Sequence, residues 1–132
     1  MEFLLGFDAT NRLLYMRFGG AMTDEDLLSG FAEARQWIAV NGPHSSISDF
    51  TGVTAFNVSS EAVRILASLP PLVPDDYHRI VVAPHDVIYG MVRVFAAFGS
   101  KTRNQIEIVR SLPEALEILG IASLNCAPAA CQ

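Results

Sequence analysis

The chain has 132 residues, and at roughly 150 residues per domain this length predicts a single domain. Hydrophobic residues make up 51% of the sequence and charged residues 17%, a composition too apolar and too lightly charged for a disordered chain. The formal net charge is −5 and no basic run is present, so we expect no nucleic-acid partner, because phosphate binding requires clustered cations.

The apolar stretches predict neither a membrane span nor a secretion signal. The longest of them, Val87 to Gly99, is interrupted by Arg93 and is shorter than the ~20 residues that a helix needs to cross a bilayer. The N-terminal residues lack the basic region and the cleavage site of a signal peptide. We therefore expect a cytoplasmic protein.

Alternating apolar residues predict a β-hairpin at the start of the chain. Residues 3–7 and 13–18 each show the period of two that is typical of strands, and the polar residues 8–11 predict the turn between them. Gly19 and Gly20 are expected to close the hairpin.

The rest of the chain predicts helices and strands in alternation. Apolar spacing and capping residues predict helices over residues 23–38, 60–69, 84–99 and 111–119. Short apolar runs predict strands over residues 46–50, 80–83 and 105–109, with loops through Gly52 and over residues 70–76.

The order β-β-α-β-α-β-α-β-α predicts an α/β fold with a single mixed β-sheet. Successive β-α-β units imply parallel strands, and the first two strands form an antiparallel hairpin. Residues 1–121 are assigned to this domain and residues 122–132 to a flexible C-terminal tail. The two cysteines, Cys126 and Cys131, lie in that tail without the spacing of a metal or redox pair, so no metal or cofactor is expected.

Residues 49–60, with the sequence DFTGVTAFNVSS, resemble the central motif of the SpoIIAA/STAS family, the anti-sigma-factor antagonists. The segments 23–25 and 111–116 extend the resemblance over roughly residues 1 to 120, and it is closer to the small, uncharacterised SpoIIAA-like bacterial branch. The resemblance implies a SpoIIAA/STAS-like fold and a non-enzymatic protein-binding or regulatory module.

The same resemblance makes Ser59 a candidate phosphoacceptor. In the antagonists the first serine of an Asp-Ser-Ser-Gly motif is phosphorylated by a partner kinase, and Ser59 matches that serine. A helix N-terminus favours a phosphate there. Val58 and Glu61 replace the Asp and the Gly of the motif, and the charge of Glu61 disfavours a phosphate. An ordinary N-cap role for Ser59 or Ser60 is the alternative.

Other polar residues near predicted strand ends and helix starts are candidates for binding a ligand or a protein partner. They are Asp49, Thr51, Asn57, Ser60, His85 and Arg93. Asp49 could instead bond the loop that follows it, and His85 could face solvent or cap a helix. An enzyme built on Asp49, Ser59 and His85 is a further alternative.

The third predicted helix is apolar around nearly its whole circumference. A helix on the outside of one sheet needs a single apolar stripe, so the excess predicts a homodimer interface. The candidate interface residues are Ile88, Tyr89, Met91, Val92, Phe95 and Phe98. Burial under the 70–74 loop and an apolar ligand pocket are the alternatives, and the latter would suit a small-molecule or lipid-binding protein resembling the Sec14/CRAL-TRIO class.

Overall fold

The computed structural model describes residues 2–74, 76–98 and 106–128. The strands in these ranges are β1 (Glu2–Asp8), β2 (Leu13–Thr23), β3 (Ser45–Asn57), β4 (Arg79–Val82), β5 (Glu107–Val109) and β6 (Ala127–Pro128). The helices are α1 (Asp24–Asn41), α2 (Ser60–Ser68), α3 (Asp86–Phe98) and α4 (Leu112–Leu119). In the described ranges, no helix combines the length and apolar character that crossing a bilayer requires.

All of these strands belong to one mixed sheet with the order β5-β4-β3-β2-β1-β6. The first two strands pair antiparallel, and β2, β3, β4 and β5 pair parallel with their neighbours. The predicted α/β class, the single mixed sheet and the initial hairpin are therefore confirmed.

The helices α1, α2 and α3 pack on one face of the sheet, because alternate residues of β2 point toward them. Leu14, Met16 and Phe18 belong to this larger core, together with buried residues of all three helices. The Phe18 ring stacks on that of Phe50 in β3, with centroids 4.9 Å apart and planes 8° from parallel. This face holds most of the buried apolar residues of the protein.

The opposite face is only partly covered, by α4 and the chain that follows it. Leu13, Ile47 and Ile80 pack there against Ala115 of α4 and against half-buried residues up to Cys126. The helices therefore shield one face of the sheet from solvent more completely than the other.

Hydroxyl caps start three of the helices, as the sequence predicts. Thr23 caps α1 and accepts from the Asp26 amide, while the Asp26 carboxylate accepts from the Thr23 amide. Ser59 accepts from the Ala62 amide at the start of α2, and Ser111 caps α4. Each cap satisfies an amide that has no partner within its helix.

The prediction that Gly19 and Gly20 close the hairpin, and that Gly52 lies in a loop, is wrong. β2 and β3 stay paired in parallel as far as Thr23 and Asn57, with register shifts on both sides of the glycine pair. A Cβ on Gly52 would lie 3.1 Å from the Phe18 carbonyl oxygen, and Gly20 has a φ of +69°. These glycines therefore permit bulges inside long strands.

The first part of the predicted tail is docked on the sheet. Ala127 and Pro128 form β6 beside β1, a strand that the sequence does not predict. Burial alone would raise the pKa of Asp8, but hydrogen bonds from Asn11 and Asn125 outweigh it and lower the pKa. Residues 124–128 therefore lie against the sheet, within the segment that the sequence predicts as a flexible tail from residue 122.

Some predicted features lie outside the described residues. They are Cys131 with the rest of residues 129–132, the end of the third predicted helix at Gly99, and the strand start at Gln105.

We expect two helix glycines to respond to alanine in opposite directions. A Cβ on Gly30 in α1 would lie 2.5 Å from the Phe18 ring, whereas a Cβ on Gly90 in α3 meets nothing within 4 Å. Gly30→Ala should destabilise the protein by about 1–3 kcal/mol through overpacking. Gly90→Ala should stabilise it by about 0.5–1 kcal/mol. Urea unfolding measures both, and equal changes would contradict the packing around Phe18.

Candidate functional site

The candidate phosphoacceptor Ser59 is held by a carboxylate from another helix. The Asp24 Oδ1 atom accepts from the Ser59 amide at 2.6 Å, and its Oδ2 accepts from the Ser59 hydroxyl at 2.8 Å. The same hydroxyl accepts from the Ala62 amide at 3.1 Å. We call this arrangement the Asp24–Ser59 clasp, and it joins the N-termini of α1 and α2.

The clasp carries a net negative charge at the exposed end of the parallel strands. The two hydrogen bonds from Ser59 lower the pKa of Asp24, so the carboxylate stays ionised. Asn57 lies opposite Thr23 in the last register position of the β2–β3 pair, and Ser60 is the first residue of α2. The candidates Asn57, Ser59 and Ser60 therefore lie in one short segment beside Asp24.

Asp49 and Thr51 lie in β3 below this end of the sheet. The Asp49 carboxylate is buried, accepting a hydrogen bond from the Tyr15 hydroxyl and another, at 2.9 Å, from the Thr51 amide. Arg17 is the register neighbour of Asp49 in β2 and is exposed. The expected bond from Asp49 to the following residues is confirmed, although these residues continue the strand.

Tyr15 is the partner of Asp49 that the sequence does not reveal. Burial raises the pKa of the Tyr15 phenol, and the hydrogen bond to the Asp49 carboxylate raises it further. A phenol in this setting stays protonated and donates to the carboxylate. The pair therefore joins neighbouring strands β2 and β3 within the sheet.

His85 and Arg93 lie at and beyond the start of α3, and both are exposed. The acidic residue at this helix start, Asp86, pairs with Arg110 at 2.9 Å. The Arg110 guanidinium also lies over the Tyr89 ring, 4.0 Å from its centroid. Tyr89 therefore packs within the protein, and the contacts of this helix start involve Arg110, which the sequence analysis did not single out.

The enzyme alternative requires Asp49, Ser59 and His85 to lie within hydrogen-bonding reach, but these side chains form no hydrogen bonds with one another. Asp49 bonds Tyr15 and Thr51, whereas Ser59 bonds Asp24 and Ala62. In the part of the chain that the structure describes, no group of three potential metal ligands comes together.

The six candidate interface residues of α3 divide into core and surface. Ile88 is 1% exposed and Val92 is also buried, so the prediction that these two face a second copy is wrong. Tyr89, Met91 and Phe95 are half-buried, and Phe98 is exposed with the Arg64 guanidinium over its ring. The helix turns two of the six wholly inward because α3 packs on the sheet.

Another stripe of α3 is the one that faces solvent. Val87 is 64% exposed and Val94 is 37% exposed, and Gly90 and Ala97 are also exposed. These four residues recur at spacings of three, four and three, so they lie on one side of the helix. We call them the α3 stripe.

An apolar cavity of about 60 Å³ lies between the sheet and the helices α1–α3. Typical ligand pockets measure roughly 300–1,000 Å³, so a whole lipid does not fit in this conformation. Its lining includes Met91 and Phe95 of α3 and the β3 residues Ser46 and Ser48.

Sequence reasoning missed Tyr15, Asp24 and Arg110 as partners of the candidate residues. Asp24 did carry a signal, since it lies in the segment that caps α1 and resembles the family. Tyr15 becomes a partner of Asp49 only once β2 and β3 are neighbours, and Arg110 only once β4 and β5 are neighbours. Strand order was not predictable from periodicity.

A comparison of the chain with protein-family models, with curated proteins and with solved structures finds no match. The resemblance to the SpoIIAA/STAS family remains a prediction from the sequence.

We expect Tyr15→Phe to destabilise the protein by about 1–3 kcal/mol, because the buried Asp49 carboxylate loses a hydrogen-bond donor. The variant should also change the response to alkali. Because the pKa of Tyr15 is raised in the folded protein, its contribution to the free energy of unfolding is complete below the usual tyrosine pKa of about 10. That contribution is lost as the pH rises above this value.

Unfolding by urea between neutral pH and pH of about 11 tests this difference. The stability of the native protein should fall more steeply above pH of about 10 than that of Tyr15→Phe. Tyr77→Phe serves as the control, since Tyr77 is half-buried and lies away from Asp49 in the loop before β4. Parallel pH curves for native protein and Tyr15→Phe would contradict the assignment.

Proposed function

We propose that this protein is a non-enzymatic protein-binding or regulatory module of the SpoIIAA/STAS-like type, which acts as a homodimer. The observation that carries the proposal is the α3 stripe, because it leaves an apolar helix face in solvent although α3 already packs its buried side on the sheet. Exposed apolar helix faces of this kind are typical of protein interfaces.

The composition of the α3 stripe suits a close approach of two helices. Gly90 and Ala97 are small and let two backbones come near each other, while Val87 and Val94 supply apolar contact. Their alternating spacing of three and four residues is the one found where two helices pack side by side. A second copy is the simplest partner, because a two-fold axis uses the same surface twice.

The charges beside the stripe favour an antiparallel pair of α3 helices. Asp86 and Arg93 lie seven residues apart, and therefore on the same side of the helix. In an antiparallel pair, Asp86 of each copy, which stays largely exposed beside its partner Arg110, would also face Arg93 of the other. This complementarity would set the orientation of the dimer.

Ser59 is the proposed control point of the module. Its hydroxyl is exposed and already donates to Asp24, so a phosphate on Ser59 removes this donor and places added negative charge against the Asp24 carboxylate. Phosphorylation would therefore open the Asp24–Ser59 clasp and change the surface formed by α1 and α2. Asn57 and Ser60 flank this surface and would contact a protein partner.

Sedimentation of the native protein at micromolar concentration should give a dimer. Val94→Glu should raise the dimer dissociation constant roughly tenfold or more, because pairing would bury an unpaired carboxylate of each copy in the apolar contact. Ile65→Glu is the matched control, since Ile65 is an exposed apolar residue of α2 outside the stripe. A native monomer, or equal weakening by both variants, would exclude this interface.

Incubation with ATP and an extract of the native cells should place a phosphate on Ser59, detected by mass spectrometry. Hydrogen exchange of the Ser59 and Ala62 amides should then accelerate, because the clasp and the cap open together. Ser60→Ala should leave both results unchanged, whereas Ser59→Ala abolishes the modification. Absence of phosphate on Ser59 from every growth state tested would exclude the switch.

A further inference from the structure

A pocket of about 360 Å³ lies where the parallel strands β2, β3 and β4 begin, at the end of the sheet opposite the Asp24–Ser59 clasp. Unlike the apolar cavity under the helices, it falls within the roughly 300–1,000 Å³ that is typical of small-molecule sites. Its polar lining includes Arg12, His44, Ser45 and His78. The size and the polar groups together make it the best candidate for a ligand site outside the features described above.

The charges on the pocket favour an anion. Arg12, His44 and His78 line it, and its lining contains no Asp or Glu although the whole chain has a net charge of −5. The Arg12 guanidinium is exposed and forms no ion pair with any residue that the structure describes. A guanidinium beside two imidazoles is an arrangement that binds carboxylates and phosphates.

The C-termini of α1 and α4 lie at the same end of the sheet, and their dipoles alone would disfavour an anion. Both last turns are closed by backbone hydrogen bonds. The Gly42 amide donates to the Ile38 carbonyl oxygen at 2.7 Å, and the Ile121 amide donates to that of Leu116 at 3.1 Å. Because a helix end carries only about half a charge, the full charge of Arg12 outweighs it beside the pocket.

The hydrogen bonds of the two histidines fix which ring nitrogen remains for a ligand. The Nδ1 atom of His78 lies 2.9 Å from the Glu107 carboxylate, and that of His44 lies 2.9 Å from the Gly42 carbonyl oxygen. Carboxylate and carbonyl oxygens only accept, so Nδ1 is the donor in both rings. These bonds leave both Nε2 atoms unused, and each Nε2 donates when its ring is protonated.

Arg12 has a backbone conformation that is unfavourable for its residue type. Its φ is +55°, and it is the one non-glycine residue with a positive φ in the described ranges. This left-handed region favours glycine, because a Cβ crowds the backbone there. An arginine at this position therefore costs stability, which is typical of a residue kept for its side chain.

The remaining lining adds one more donor and an apolar wall. The Ser45 hydroxyl accepts from the His78 amide at 3.1 Å, so its own proton can be donated to a ligand. Leu119 and Ile121, at the end of α4, are half-buried and line the pocket. The pocket therefore combines hydrogen-bond donors with apolar surface, as small-molecule sites usually do.

We propose that this pocket binds a small phosphate monoester that carries an apolar group. A phosphate has three free oxygens and between one and two negative charges at neutral pH, so it can use all of these donors at once. The Arg12 guanidinium, the two Nε2 atoms and the Ser45 hydroxyl bind its oxygens, and the apolar group lies against Leu119 and Ile121. The site is separate from the α3 stripe and from Ser59, so it can fail independently of the proposed function.

Phenyl phosphate is the probe that tests the site, titrated by calorimetry and by the fluorescence of Trp37. Trp37 is the single tryptophan of the chain, and its ring centroid lies 5.3 Å from that of His44. We expect saturable binding with a change in this fluorescence. Phenol and benzylamine should bind at least roughly tenfold more weakly, because they lack the anion. Inorganic phosphate should also bind more weakly, because it lacks the apolar group.

Variants of Arg12 separate binding from folding. Arg12→Gln and Arg12→Gly should each weaken phenyl phosphate binding roughly tenfold or more, the effect of a charged hydrogen bond. Arg12→Gly should nevertheless unfold at or above the native temperature, because glycine accepts a positive φ. Arg17→Gln is the matched control, since it removes an exposed arginine of β2 outside the pocket and should leave binding unchanged.

Four outcomes would overturn the proposal. Titration of the native protein without saturation would mean that the pocket is not a phosphate site. Equal affinity for phenyl phosphate, phenol and benzylamine would remove the anion from the assignment, and benzoate binding as tightly as phenyl phosphate would remove the phosphate. Equal weakening by Arg12→Gln and Arg17→Gln would show a general attraction of anions to the surface.

Discussion

The parallel pairing of β2 with β3 is the interaction on which the rest of this structure depends. The pair runs from Leu13 and Ser45 to Thr23 and Asn57, well beyond the ends of the neighbouring strands. Because its two strands end together, the N-termini of α1 and α2 emerge side by side, and Asp24 can reach Ser59. The same pairing brings Tyr15 beside Asp49 within the sheet.

β3 is unusual for a strand in the middle of a sheet because it carries polar residues on both faces. On one face Asp49 is satisfied by Tyr15 and Thr51, so its burial is compensated. On the other face Ser46 and Ser48 lie under the helices and line the apolar cavity. The two faces therefore differ, since the bond between Asp49 and Tyr15 links two strands whereas the serines border a cavity.

The apolar composition of the chain is distributed unevenly over the fold. Most apolar residues of the sheet, of α1 and of α2 belong to the cores on its two faces. α3 carries more than its packing requires, since Ile88 and Val92 fill the core while Val87 and Val94 remain in solvent. The helix does carry more apolar residues than its packing uses, as predicted, but the apolar residues that face solvent are mostly different from those predicted.

Local signals in the sequence determined the elements of this protein. Alternation along residues 3–7 and 13–18, the caps at Thr23 and Ser111, and the apolar spacing of the helices predicted the α/β class and the mixed sheet, because these features depend on neighbours close in the chain. Only the tertiary structure decided how far β2 and β3 run, where Ala127 and Pro128 dock, and which side of α3 is buried.

The glycines that the sequence predicts as turn residues lie instead at bulges within strands, because pairing between distant strands outweighs local preference. The partners of Asp49 and Ser59 could not be predicted from the sequence either. Tyr15 reaches Asp49 only because β2 and β3 are neighbours in the sheet. Asp24 reaches Ser59 only because α1 and α2 start side by side.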